Sequence, residues 1–216
     1  MGVPGSEFLR LLPGLPPSRL LNFGLEHNFK TIIKMEATAT RTKWIVDPTH
    51  SSIGFSVKHM MMTTVRGEFE RYTVEAETIG EDFLTANITF SAETASVNTR
   101  NEQRDGHLKS DDFFNAEKFP TITFKPTKLE RVDNDDMYTM YGDLTIRDIT
   151  KNIKLDVEFG GVLKNPWGST VAGFIINGKI NRKEWNLNWN AALEAGGVLV
   201  SEEVRIHAEI QLVEAQ

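Results

Sequence analysis

Val204-Arg205-Ile206-His207-Ala208-Glu209-Ile210-Gln211-Leu212 alternates apolar and polar residues without a break. Successive side chains of a strand point to opposite faces, so this stretch presents one apolar and one polar face. The same period of two recurs upstream. Ile53, Phe55 and Val57 alternate with Ser52, Gly54, Ser56 and Lys58. Leu84, Ala86, Ile88, Phe90 and Ala92 form one face of another strand, and Tyr138, Met140, Leu144 and Ile146 one face of a third. Ile153, Leu155, Val157 and Phe159 follow after the short connection Asp148-Ile149-Thr150, which predicts a hairpin. Phe174, Ile176 and Ile180 give a further face, and weaker strand signals cover 65–77 and 121–132.

The count comes to about eight strands, the number at which a closed barrel can hold one small ligand. Turn residues punctuate them at Asp133-Asn134-Asp135-Asp136, Gly160-Gly161, Asn165-Pro166-Trp167-Gly168 and Gly196-Gly197. One segment breaks the alternation. Thr99-Arg100-Asn101-Glu102 has the form of a capping box, which predicts a short helix running toward Leu108, weakened by Gly106. Phe113-Phe114 follow, and Pro120 fixes the start of the next strand. A helical insert between strands can close one end of a barrel. The expected fold class is therefore all-β: an antiparallel barrel with a short helical insert, occupying residues 35–216.

Composition bounds the rest. The chain has 216 residues, 40% hydrophobic and 25% charged, which is globular and long enough for a sizeable core. A net charge of −6 with no clustered Lys/Arg argues against nucleic acid. There is no cysteine, which excludes disulfides, thiolate metal sites and a cysteine nucleophile. No apolar run approaches the roughly 20 residues that span a bilayer. Residues 1–34 read differently: Pro4, Pro13, Pro16 and Pro17 interrupt the leucines, so no signal-peptide core forms. Met35 with Glu36-Ala37-Thr38 looks like a natural start, so 1–34 reads as a leader or an over-extended start. An amphipathic anchor over 20–33 is the weaker alternative, since Glu26, His27 and Asn28 interrupt it.

The residues that could carry chemistry are few. A zinc site needs three or four convergent ligands, and His27, His50, His59, His107 and His207 show no such spacing. His59 continues the apolar parity of Ile53, Phe55 and Val57, so it either points into the barrel or serves as a hydrogen-bonded residue at the rim. The acidic run 133–136 lacks the glycine and terminal glutamate of a calcium loop. Acyl-transfer, dinucleotide and phosphate-loop motifs are missing. No metal or cofactor is expected.

The aromatics say more. Phe55, Phe69, Phe90, Phe113, Phe114, Phe119, Phe124, Phe159 and Phe174 recur at strand positions or around the helix. Singly each reads as core; together they suit a tunnel wall. Met60-Met61-Met62 supplies adaptable thioethers, either to a ligand or to the rim. Arg104, Arg147 and Arg182 sit beside turns or the helix, either to grip an anionic head group or to pair with one of the many carboxylates.

Several of these segments together resemble the YceI family. They are Asp47-Pro48-Thr49-His50-Ser51-Ser52-Ile53-Gly54-Phe55-Ser56-Val57-Lys58-His59 and Val65-Arg66-Gly67-Glu68-Phe69, then Arg104-Asp105-Gly106-His107-Leu108 through Asp112-Phe113-Phe114. Phe119-Pro120-Thr121-Ile122-Thr123-Phe124, Gly142-Asp143-Leu144-Thr145-Ile146-Arg147 and Asn181-Arg182 continue it, so the resemblance covers about 44–213. It implies an extended lipocalin-like barrel with a long hydrophobic tunnel. It also implies a homodimer and binding of polyisoprenoids, quinones or fatty amides and acids, for storage or transport; transient membrane contact is expected beside these. The expected ligand-binding residues are Phe55, Val57, His59, Phe69, Ile88, Phe90, Phe113, Phe114, Phe124, Leu144, Ile146, Leu155, Phe174 and Ile176. The head-group candidates are His50, Arg104, Arg147 and Arg182. Many relatives are periplasmic; without a recognisable signal peptide this chain is expected in the cytoplasm. Relatives commonly carry Asp-Phe-Gly after the Asn-Arg pair, where this chain has Glu184-Trp185-Asn186, a change at the barrel rim. Two alternatives remain: an isomerase or dehydratase, with a perturbed ionisable residue such as His59 deep in the barrel, and a ligand-free stress module with a filled interior.

Overall fold

A computed structural model describes residues 40–132, 136–194 and 196–215. The expectations for 1–34, including the alternative anchor, lie outside the described residues, as does most of the Asp133–Asp136 turn.

Among the described residues eleven strands form one antiparallel sheet: β1 (Arg41–Val46), β2 (Ser52–His59), β3 (Thr63–Phe69), β4 (Tyr72–Ile79), β5 (Asp82–Glu93), β6 (Val97–Asn98), β7 (Thr121–Arg131), β8 (Met137–Ile146), β9 (Ile149–Lys164), β10 (Thr170–Asn181) and β11 (Val200–Glu214). Eight of them, in the order β1-β4-β5-β7-β8-β9-β10-β11, close into a ring through a β11–β1 pairing. β2, β3 and β6 continue β1, β4 and β5 beyond short breaks and lengthen the barrel on one side, with β2 paired to the far half of β11. The expected all-β barrel is the fold observed.

The break between β1 and β2 is a built feature. Val46 pairs with Leu212 and Ser52 with Glu209, so five residues bulge opposite two. Asp47 ties the bulge down. Its carboxylate accepts hydrogen bonds from the Thr49 backbone (2.9 Å) and hydroxyl (2.6 Å), and from Gln211 Nε2 (3.1 Å), and lies 2.8 Å from His50 Nδ1. The Thr49 and His50 contacts, the Thr49 hydroxyl first and His50 next, lower the Asp47 pKa from 3.8 to about 2.

Three sequence expectations shift. The helix α1 (Glu102–Lys109) is capped by Asn101, whose side chain accepts from the Arg104 backbone; Thr99 is held instead by the Asp105 carboxylate, 2.8 Å from its N–H. And Leu84 is half-exposed while Phe83 is buried, because the pairing jumps from Glu77–Asn87 to Ile79–Asp82 and reverses the parity of β5 at its start. The β8–β9 turn is tighter than expected: Arg147 and Asp148 alone connect the strands, with Arg147 at φ 58°.

The two ends of the barrel differ. The β4–β5, β7–β8 and β9–β10 turns mark one end, and Trp44, Phe83, Phe159 and Phe174 close it with ring centroids 4.9 to 5.6 Å apart. At the other end lie the β2–β3 hairpin, α1, the β8–β9 turn and the 182–199 connection.

Candidate functional site

A cavity of about 580 Å³ runs inside the barrel, within the range of ligand pockets. Its wall is built by the alternation: inward residues of each strand meet across the lumen. Toward the aromatic-closed end the lining is wholly apolar, with Val74, Phe83, Ile88, Phe90, Phe174, Ile210 and Leu212. Polar groups converge at the other end: His59, Thr99, Gln103, Arg104, His107 and Arg182. Helix α1 supplies three of these from one face, since 103, 104, 107 and 108 are neighbours at helical spacing.

Every expected ligand-binding residue, from Phe55 to Ile176, lines this cavity, whereas Phe119 and Phe159, also read as suiting a tunnel wall, do not. The head-group candidates divide. Arg104 and Arg182 line it, whereas His50 and Arg147 do not. His50 is exposed in the β1–β2 bulge, paired with Asp47. Its motif shapes the wall from outside, and a histidine before a strand carries no sign of which face it takes. Arg147 packs its guanidinium 5.4 Å from the centre of the Phe119 ring, turned outward by the left-handed turn.

Both lining arginines are already engaged. Arg104 Nε donates to Thr99 Oγ1 (2.7 Å) and Nη2 to the Thr99 carbonyl (2.8 Å). Arg182 is 2% exposed and donates to the carbonyls of Ser201 (2.9 Å), Leu187 and Val200 (3.5 Å). It pins the 182–199 connection to the start of β11, and burial pushes its pKa below the ordinary value while Glu202 acts the other way. For Arg182 the two expected alternatives, a head-group grip and a carboxylate partner, are both replaced by backbone carbonyls, which occupy its guanidinium.

Sequence reasoning missed Gln103, His107 and Trp189 as lining residues. His107 Nε2 lies 2.9 Å from the Asp112 carboxylate, which accepts its hydrogen bond, and its ring meets Trp189 and Phe113 edge-on at 4.6 and 5.0 Å. The helical spacing 103/104/107/108 was a usable signal for the first two; Trp189 lies in an irregular connection with no period. Met60, Met61 and Met62 lie outside the lining. Among the described residues no group of three or more His, Asp or Glu converges to hold a metal.

The family model described as YceI-like domain matches residues 44–212. The chain belongs to the YceI family. It is 42% identical over 171 residues to a UPF0312 protein of Staphylococcus aureus strain USA300, covering 79% of this chain and 96% of that one. Among solved structures, the YceI protein of Campylobacter jejuni is 34% identical, with a TM-score of 0.64 over 74% of this chain and 90% of that one. Burkholderia cenocepacia BcnA shares the fold at 17% identity, with a TM-score of 0.66 over 77% and 98% of the two chains. So does a polyisoprenoid binding domain from Saccharophagus degradans, at 13% identity and a TM-score of 0.54 over 80% and 98%.

The rim substitution of this YceI-like chain now has a physical reading. Trp185 is fully buried and donates its indole N–H to the Leu144 carbonyl at 3.2 Å. Asn186 follows in the left-handed conformation, φ 57°, a position that glycine adopts most easily and asparagine tolerates.

Proposed function

We propose that this YceI-like barrel binds a long-chain apolar ligand tail-first, for storage or transport, and that the ligand is a polyisoprenoid, a quinone or a fatty amide or acid. The observation that carries this is the polarity gradient of the cavity: apolar from the aromatic-closed end upward, polar where α1 crosses. Each buried methylene contributes about 0.8 kcal/mol, so a tail of ~15 carbons gains on the order of 12 kcal/mol against several of association cost. The head would meet Gln103, Arg104 and His107, with the second Arg104 Nη still uncommitted to Thr99. The polyisoprenoid binding domain that shares this fold supports the choice of tail.

Family and cavity point to a binding protein and not an enzyme. The ionisable groups of the lining, His59, Arg104, His107 and Arg182, all belong to the polar end, whereas an enzyme of the expected kind needs one deep inside. A filled, ligand-free module is inconsistent with a 580 Å³ cavity. The homodimer we propose rests on the family resemblance alone, and sedimentation equilibrium tests it.

Native mass spectrometry with organic extraction, on detergent-free protein from its own host, tests the ligand. A stoichiometric long-chain lipid identifies the head group. An empty protein that also takes up neither prenyl nor acyl chains in titration overturns the reading.

A further inference from the structure

Met60, Met61 and Met62 form the tip of the β2–β3 hairpin, and they are 39%, 67% and 77% exposed. Burial does not explain apolar side chains held in water. Backbone preference explains them even less. Met60 and Met61 hold φ of 52° and 56°, the mirror-image turn that asparagine and glycine adopt readily and a residue with a longer side chain does not. Folding would favour other residues here, and the methionines need a different cause.

The tip is joined to the tunnel mouth. The Met60 N–H donates to the Leu199 carbonyl at 2.8 Å, tying the hairpin to the 182–199 connection, where Val198 is 40% exposed. His59 on one side and Leu199 and Val200 on the other line the cavity. One apolar lip thus runs from solvent into the lumen. Lys58 and Arg66 flank the 60–62 tip, both exposed, and no acidic residue lies between them along the chain; on the 182–199 side the nearest acids are the exposed Glu194 and Glu202, the latter paired with Lys183.

We propose that this methionine tip docks on an anionic phospholipid bilayer, so that the tunnel mouth faces the lipid from which its ligand comes. The proposal rests on the carrier reading above. Thioether side chains adapt to disordered acyl chains. Apolar insertion supplemented by flanking cations is how peripheral segments hold anionic interfaces. A second copy of the chain seated on the tip would cover the lip through which a water-insoluble tail must pass.

The test is flotation of the full chain with vesicles of phosphatidylcholine alone and of phosphatidylcholine mixed with phosphatidylglycerol. The wild-type chain should float with the mixed vesicles, and less at high salt. Met61→Asp with Met62→Asp should weaken this by about tenfold or more while leaving prenol uptake from solution unchanged, since neither residue lines the cavity. Wild-type protein that stays unbound, or a variant that floats equally well, overturns the proposal. So does a variant that only converts a dimer to a monomer in sedimentation, which assigns the tip to a second copy. If prenol uptake fails in both proteins while flotation persists, the carrier reading falls and the docking surface stands.

Discussion

The phenyl ring of Phe124 lies in the notch left by Gly142 on the neighbouring strand. A methyl group built at Gly142 would stand 2.7 Å from Phe124 Cε2, closer than any real contact allows. Phe124 pairs with Leu144 and Pro126 with Gly142, so the ring reaches diagonally across the inner face and lies along the wall instead of across the lumen. Phe55 over Gly67 and Leu155 over Gly178 repeat the device. Gly142→Ala should therefore push the ring into the cavity, lowering stability by about 1–3 kcal/mol through overpacking and reducing uptake of the longest prenols. Urea unfolding and a prenol titration read the two effects. Adding Phe124→Leu should restore uptake and part of the stability, the remainder reflecting the Lys125 carbonyl 2.8 Å from the added methyl; wild-type values for Gly142→Ala alone would contradict the role of the notch.

Trp44 at the closed end depends on one hydroxyl. Its indole Nε1 donates to Thr78 Oγ1 at 2.9 Å, and that hydroxyl donates on to the Gly80 carbonyl at 2.5 Å. Both side chains are 1% exposed. Thr78→Val keeps the shape and leaves a buried N–H without an acceptor, which costs about 1–3 kcal/mol. An unchanged urea midpoint would show that water reaches this end of the barrel.

The alternation made the wall legible, because residues two apart on a strand share a face whatever their partners are. It failed where a bulge intervenes: Leu84 kept the apparent parity, yet the displaced pairing near Ile79 turns Phe83 inward in its place. The polar end was legible only in part. Arg104 and Arg182 could be singled out as cations in apolar surroundings, but their partners include the Thr99 carbonyl, just past β6, and the Ser201 carbonyl, in the irregular start of β11, where the period of two carries no information. Inward glycines such as Gly142 read as gaps in a pattern, and only the packing shows that a neighbouring ring fills them.

Asn186 tests the rim. It follows the buried Trp185 at φ 57° and its N–H donates to the Lys183 carbonyl at 3.0 Å. Asn186→Gly should leave stability within a few tenths of a kcal/mol, since both residues adopt this conformation, whereas Asn186→Ala should lose about 1 kcal/mol. Thermal unfolding of the two variants separates them. Equal losses would mean that the asparagine side chain itself matters here.

Asp47 gives the barrel a defined acid response. Its pKa is lowered from 3.8 to about 2 by the Thr49 and His50 contacts that hold the β1–β2 bulge against β11. A carboxylate with a depressed folded pKa contributes stability that is fully present above its unfolded value and is lost as pH falls through its folded value. The contribution of Asp47 should thus be intact at neutral pH and disappear between about pH 4 and pH 2, the interval set by its two pKa values. Asp47→Asn should be less stable than wild type at neutral pH, and the two urea midpoints should converge as the wild type crosses that interval. Curves that stay parallel down to the acid end would mean that another carboxylate governs the acid limb.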